Sequence, residues 1–545
     1  MNQDVNNAPD ARAQVVHGMS DDLSESMSTS VSGSFTLLIG NSVALLFSAI
    51  GVILVALMLS PSEYGLFSIS LVLPGMFILF SDWGVNQALV RYIAHYRSIG
   101  KLEDIKDLAM AGYFFKFFIG SMLSLFLFLF GDFFAVFLIR RPEVGGFIRL
   151  TSVLVLSQSM YSTAISIFAG YEKMNYRATM NIIQSIVKAV ISPLLIYLNY
   201  GVSGVVIGHT LSYSIAAVIG FISTRSLFNL SISFQYERLK ENVKLLLIFG
   251  VPLFLGNILS GFAIQFRGVL LSWFVSAEMI GNYRISSWFI TYVNVLITSI
   301  GINLLPTFSK YNFKDEPKRV KEIFQGSVRY FSMFLLPLAC MLMVVSKPLI
   351  YTLFTEKYPQ APLILSIRLM STIFMGIGSM SIIRFLISQG ETRTSSRIII
   401  ISSLISILLS TIFIYLWNII GLVVSFSLSS FIQYMLGLMV IRRKYDVSPD
   451  LNHAFRTLVC SLISIVVTYG FLYFFSTLPI VDLFFSVMIF LIIYLLIAPF
   501  IGAIEIIDVQ NLDLMFKELK MIYPFVRLVL DFEGRLLKLK FRARE

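Results

Sequence analysis

Eight ionisable side chains stand inside long apolar runs: Asp82, Lys116, Arg149, Lys188, Arg267, Arg284, Arg368 and Arg384. All but Asp82 are cationic, and cations sheltered from water are suited to holding an anion, because a guanidinium fork matches the paired oxygens of a phosphate. Asp82 is followed at helical spacing by Asn86 and Arg91. That spacing fits a substrate- or proton-binding carboxylate, and it fits equally an ion pair locking one helix to a neighbour. Metal chemistry has no ligand set, since His17, His95, His209 and His453 are scattered, and no metal or other cofactor is expected. Cys340 and Cys460 sit singly in apolar runs and read as core residues.

The elements that carry these charges are transmembrane helices. Apolar residues make up 57% of the 545 and charged residues 13%, with a mean hydropathy of +0.82; a soluble domain carries about a quarter charged. Apolar windows predict spans over 33–58, 66–89, 109–138, 148–169, 178–198, 202–224, 245–273, 282–306, 328–352, 362–388, 396–416, 419–440, 454–476 and 481–505. The fold class is therefore an all-α integral membrane protein of about fourteen transmembrane helices. Its expected organisation is a polar N-terminal tail (1–32), a first six-helix bundle (33–224), a linker (225–244), a second six-helix bundle (245–440), two additional helices (441–505) and a basic amphipathic tail (506–545). The tail mixes apolar residues with Lys517, Lys520, Arg527, Arg535, Lys538, Lys540, Arg542 and Arg544, which suits a membrane surface, with a break near Pro524.

A charge near the bilayer centre costs about 3 kcal/mol on insertion scales, so each needs a reason. Lys188 lies about eleven residues into its span, roughly 16 Å from the inner end, and Arg267 about twenty-two residues into a long one. Neither reaches water easily, which favours a role in a cavity. Arg149, Arg284 and Arg368 fall near predicted outer ends, where snorkelling to the interface is the simpler reading. Lys116 and Arg384 are open to both. The candidate substrate-binding set is Lys188, Arg267, Asp82, Lys116, Arg284, Arg384, Asn86 and Arg91. Pro74, Pro193, Pro252 and Pro337 fall within spans and permit kinks.

Basic residues fix an expected orientation, since Lys and Arg stay on the cytoplasmic side of short loops. With the N-terminus inside, roughly thirty basic residues fall on inner loops and tails against about four outside, so both termini are expected in the cytosol of a multi-pass cell-membrane protein. The net charge of +11 is spread along those inner segments. Anionic inner-leaflet lipids account for it, and nucleic acid is not an expected partner.

The halves repeat. Gly170 to Arg177 after the fourth span matches Gly390 to Arg397 after the tenth, and Tyr64 falls at nearly the same offset from Tyr283. An even number of spans separates the matches, so the halves share one orientation, related by an axis along the membrane normal.

Four short motifs occur in order: Pro61-Ser-Glu-Tyr-Gly-Leu-Phe-Ser68, Asp82-Trp-Gly-Val-Asn-Gln-Ala-Leu-Val-Arg91, Phe249-Gly-Val-Pro252 and Ile280-Gly-Asn-Tyr283. In these the chain resembles the Wzx-type oligosaccharide-lipid flippases of the multidrug/oligosaccharidyl-lipid/polysaccharide (MOP) exporter superfamily, over about residues 33–505. The resemblance implies two six-helix bundles in pseudo-two-fold arrangement about a central cavity, plus two further helices, working by alternating access. It implies as cargo a polyprenyl-phosphate- or pyrophosphate-linked glycan used in cell-surface polysaccharide or glycoprotein synthesis, and as partners polysaccharide assembly proteins. Many relatives carry an acid in the seventh helix where this chain has Phe266-Arg267, which puts cation coupling through that position in question.

Two other functions compete. A multidrug or small-metabolite exporter would share the fold, but favours an acidic, aromatic cavity. A membrane glycosyltransferase or glycan ligase needs paired carboxylates in large outer loops; here Asp132, Glu143, Glu278 and Glu356 are isolated, so no enzyme is expected.

Overall fold

The computed structural model describes residues 37, 39–228, 236–302, 308–311, 313–517 and 523–542. The N-terminal tail, the middle of the 225–244 segment and parts of the C-terminal tail lie outside them. The described residues form helices and turns without a strand, as lipid requires of a chain that must satisfy its own backbone hydrogen bonds.

Among the described residues ten helices are long and apolar enough to cross a membrane, or eleven if the bent segment Tyr236–Leu255 and Ile258–Phe274 counts as one span. Two of the ten, Met174–Phe228 and Thr392–Tyr445, run 55 and 54 residues, about 80 Å if straight. Each is a hairpin. Asn199 (φ 66°) breaks the first and Asn418 (φ 52°) the second, within the short gaps predicted between spans. Asparagine tolerates this left-handed turn better than most side chains. The arms pair antiparallel through small polar residues, with Gln184 Nε2 on Ser212 Oγ at 3.1 Å and Ser410 Oγ on Ser425 Oγ at 3.0 Å.

The chain forms two compact units, one of residues up to Leu59 with Ile69–Gln265, the other of Ser60–Ser68 with Phe266–Glu545. In the first, Val85, Leu89, Ile93, Leu108, Tyr113, Phe168 and Phe228 form one core. Gly51 lets Ile39–Met58 approach the Ala189 backbone, where a Cβ would come within 2.8 Å. The second unit has two cores, one around Phe308, Phe324 and Phe385 and one around Cys340, Cys460, Phe490 and Tyr494.

Three local expectations change. The second helix begins at Pro61, five residues before the predicted span, because Ser60 and Glu63 form a capping box: Ser60 N and Oγ both donate to Glu63 Oε2 at 2.8 Å. It does not run unbroken to residue 89, since Trp83 (φ 49°) and Gly84 (φ 75°) interrupt it. The repeat shifts by two residues: the left-handed position that ends each of the two matching helices is Glu172 (φ 58°) and Gly390 (φ 80°), closed by Lys173 N on Phe168 O and Glu391 N on Leu386 O. The expected break near Pro524 agrees with the helices, Ile506–Lys517 ending before it and Tyr523–Arg542 opening on it.

Candidate functional site

The break at Trp83–Gly84 makes the first polar site. A Cβ on Gly84 would lie 2.0 Å from the carbonyl oxygen of Gly250, so only glycine allows the two backbones to cross here. Trp83 stacks on Phe254 beside the crossing, rings 6.1 Å apart and 8° from parallel. Asp82 is thereby left at a helix end with its carboxylate turned to a neighbour. Lys116 Nζ donates to Asp82 Oδ1 at 2.6 Å, and the lysine side chain is 1% exposed against 29% for the aspartate.

Asn86 N lies 3.4 Å from the same oxygen, and Asn86 Nδ2 donates to Ser162 Oγ at 3.2 Å. Below them Ser81 Oγ and Ser159 Oγ are 2.6 Å apart. Asp82, Asn86 and Lys116 thus come together, but as an ion pair whose charges neutralise each other. Arg91 does not join them. It is exposed, with its guanidinium 4.3 Å from the ring centre of Phe249, because the break turns the following helix away from the register that a continuous helix would give. Lys188 is half-buried in the same unit, on Met174–Leu195.

The second unit holds the cations that meet. Arg267 and Arg368 place their guanidinium carbons 4.6 and 4.0 Å from the ring centre of one residue, Phe426, and Arg368 lies 5.7 Å from the ring of Tyr283. Nε and Nη1 of Arg368 are buried and have no hydrogen-bond partner among the described residues. An aromatic face attracts a desolvated cation by about 2 kcal/mol, while a buried donor left unmet costs about 1–3 kcal/mol. Two guanidiniums on one ring also repel each other. An anion accepting from the unmet donors would relieve both penalties at once.

Arg284 is exposed, and Arg384 is half-buried on Met380–Ser388, beyond a helix break at Gly378 (φ 124°). Arg149 is ion-paired with Asp132 at an exposed end. Sequence reasoning set Arg368 aside as a snorkelling residue and passed over Phe426. The first followed from position near a helix end, and the second carries no signal among 49 phenylalanines. Among the described residues no three His, Cys, Asp or Glu side chains converge as a metal site.

Known proteins bear on this arrangement. The chain is similar to the lipid II flippase MurJ in an inward closed conformation, with a TM-score of 0.69 at 17% identity, over 86% of this chain and 98% of that one. It is also similar to an inward-facing MATE-family multidrug transporter of the MOP superfamily, with a TM-score of 0.62 at 14% identity, over 75% and 98%. A MOP-superfamily transporter from Pyrococcus furiosus, described by a binding pocket of reverse polarity, matches with a TM-score of 0.54 at 16% identity over 77% and 95%. An uncharacterised membrane protein of Methanocaldococcus jannaschii is 21% identical over 399 residues, 70% of this chain and 78% of that one. The expected all-α membrane fold is borne out, and these solved structures share it. The family model described as polysaccharide biosynthesis protein matches residues 54–363, more than half of the chain, and the protein belongs to that family.

Proposed function

We propose that the protein moves a polyprenyl-phosphate- or pyrophosphate-linked oligosaccharide across the cytoplasmic membrane by alternating access, with both termini in the cytosol. The observation that carries this reading is the Arg267–Phe426–Arg368 cluster, two cations in apolar helices, of which Arg368 has buried donors without a partner among the described residues and so able to meet an anionic head group. The family's place in polysaccharide biosynthesis and the fold shared with a lipid II flippase support a glycan on a lipid as the remainder of the cargo. Export of a cationic drug fits less well, because the carboxylate of Asp82 is already neutralised by Lys116.

The test is transport in proteoliposomes carrying a fluorescent polyprenyl-pyrophosphoryl oligosaccharide. Arg368→Ala should reduce flipping per folded molecule by tenfold or more, from loss of a charged hydrogen bond of about 1.5–3 kcal/mol. Arg368→Lys should recover part, since it keeps the charge and loses the fork. Undiminished flipping in both variants would remove the cluster from the mechanism.

A further inference from the structure

The helix Tyr523–Arg542 has three faces. Leu530, Glu533 and Leu537 are buried against the protein, while Leu528, Phe532 and Leu539 form an exposed apolar stripe. Arg527, Arg535 and Lys538 lie between. The exposed stripe and the basic strip suit a lipid surface. The buried stripe is the anomaly, because a carboxylate stands in the middle of it. Glu533 is 1% exposed, and neither carboxylate oxygen has a hydrogen-bond partner among the described residues.

The described groups around it offer no cation. On Pro479–Ile501 the facing group is Tyr494, whose buried hydroxyl also lacks a partner. The same core contributes Cys460 and Cys340, both thiols. On Ile506–Lys517 stand Asp508, which is buried, and Asp513, which accepts from Tyr523 Oη at 2.9 Å. The nearby cations are engaged: Arg329 donates to Asp508 at 2.6 and 2.7 Å and to Glu505 at 2.8 Å, Arg456 lies 3.8 Å from Glu505, and Lys540 Nζ donates to Pro499 O at 2.6 Å. His453, on the next helix, has Nδ1 3.5 Å from Ser332 Oγ. Arg527 is 3.9 Å from Asp531 on its own helix.

We propose that Glu533 is a proton-binding site that latches the C-terminal helix: protonated, it allows the helix to dock on the second unit, and ionised, it expels the helix. A buried carboxylate with no counter-ion is far costlier than its neutral acid. Burial accordingly pushes the Glu533 carboxyl up to about 8. The sign follows from linkage: the raised value makes docking fully favourable below the ordinary glutamate range, about 4.3, and the contribution is lost as pH rises through about 8. Glu505 behaves oppositely. The hydrogen bond from Arg329 holds its carboxyl below the usual range, so its contribution persists in alkali and fails only in acid. The alkaline release therefore belongs to Glu533.

Full-length protein in nanodiscs can report this with spin labels on cysteines placed at Gly534, where a side chain meets open space, and at exposed Arg443 of the same unit. The native Cys340 and Cys460 are buried. The distance distribution should be narrow at pH 6 and should broaden above pH 8, with half-change near the Glu533 value of about 8. Glu533→Gln should keep it narrow at both pH values, and Glu533→Lys broad at both. A pH-independent distribution in the unsubstituted helix, or the same alkaline broadening in Glu533→Gln, would overturn the latch. An unchanged melting temperature of the whole protein in the labelled Glu533→Lys variant establishes that the helix alone has moved.

Discussion

Gly84 and Gly250 meet backbone to backbone: a Cβ on Gly84 would stand 2.0 Å from Gly250 O, and one on Gly250 2.7 Å from Trp83 O. Gly84 also needs its positive φ of 75°. Gly84→Ala should therefore cost at least about 3 kcal/mol, from strain and overlap together. Gly100→Ala, with φ 72° but nothing within 4 Å, should cost only about 1 kcal/mol of strain. Melting temperatures in detergent check the contrast, and equal losses would mean that the crossing adds nothing.

Lys116 and Asp82 form a pair in which the lysine alone is fully buried. Lys116→Met should destabilise the protein by about 3 kcal/mol, because it strands the carboxylate in an apolar setting. Adding Asp82→Asn should restore more than half of that. A double mutant whose losses simply add would show that the pair is not coupled.

Lys188 belongs to the unit that does not contain the arginine cluster. If it contributes positive field to the cargo's path, Lys188→Arg should keep transport per folded molecule and Lys188→Met should lose roughly tenfold, the worth of one charged contact of about 1.5 kcal/mol. Transport that falls only in proportion to folded protein would assign Lys188 to packing.

Sidedness can be read directly. Asn199, at the tip of the first hairpin, and Asp315 are both exposed. Cysteines placed there should react with an impermeant reagent from outside and inside respectively, as the basic loops require. Labelling of both from one side would defeat the proposed orientation.

Much of the helical architecture was legible because lipid imposes long apolar windows, and even the hairpin gaps at 199–201 and 417–418 stood out between them. The four motifs were legible as words but not as contacts. Gly65 meets Ala277 O, where a Cβ would be at 1.8 Å, and Gly281 meets Pro61 O at 2.0 Å, so the first motif packs on the fourth as the second crosses the third. Such pairings join residues far apart in sequence, and a glycine on the page does not say which backbone it admits. The arginine cluster was half legible for a similar reason. Arg267 was conspicuous by depth, but only packing reveals that Phe426 brings Arg368 to it.

The division of the chain at Ser60, Ile69 and Phe266 bears on how such a protein can be cut. A nick in the 225–244 segment looks like a clean halving, yet the N-terminal piece would carry away Ser60–Ser68, which the other unit packs around, and would forfeit the stretch through Gln265 that its own core uses. Neither fragment would be a self-sufficient module.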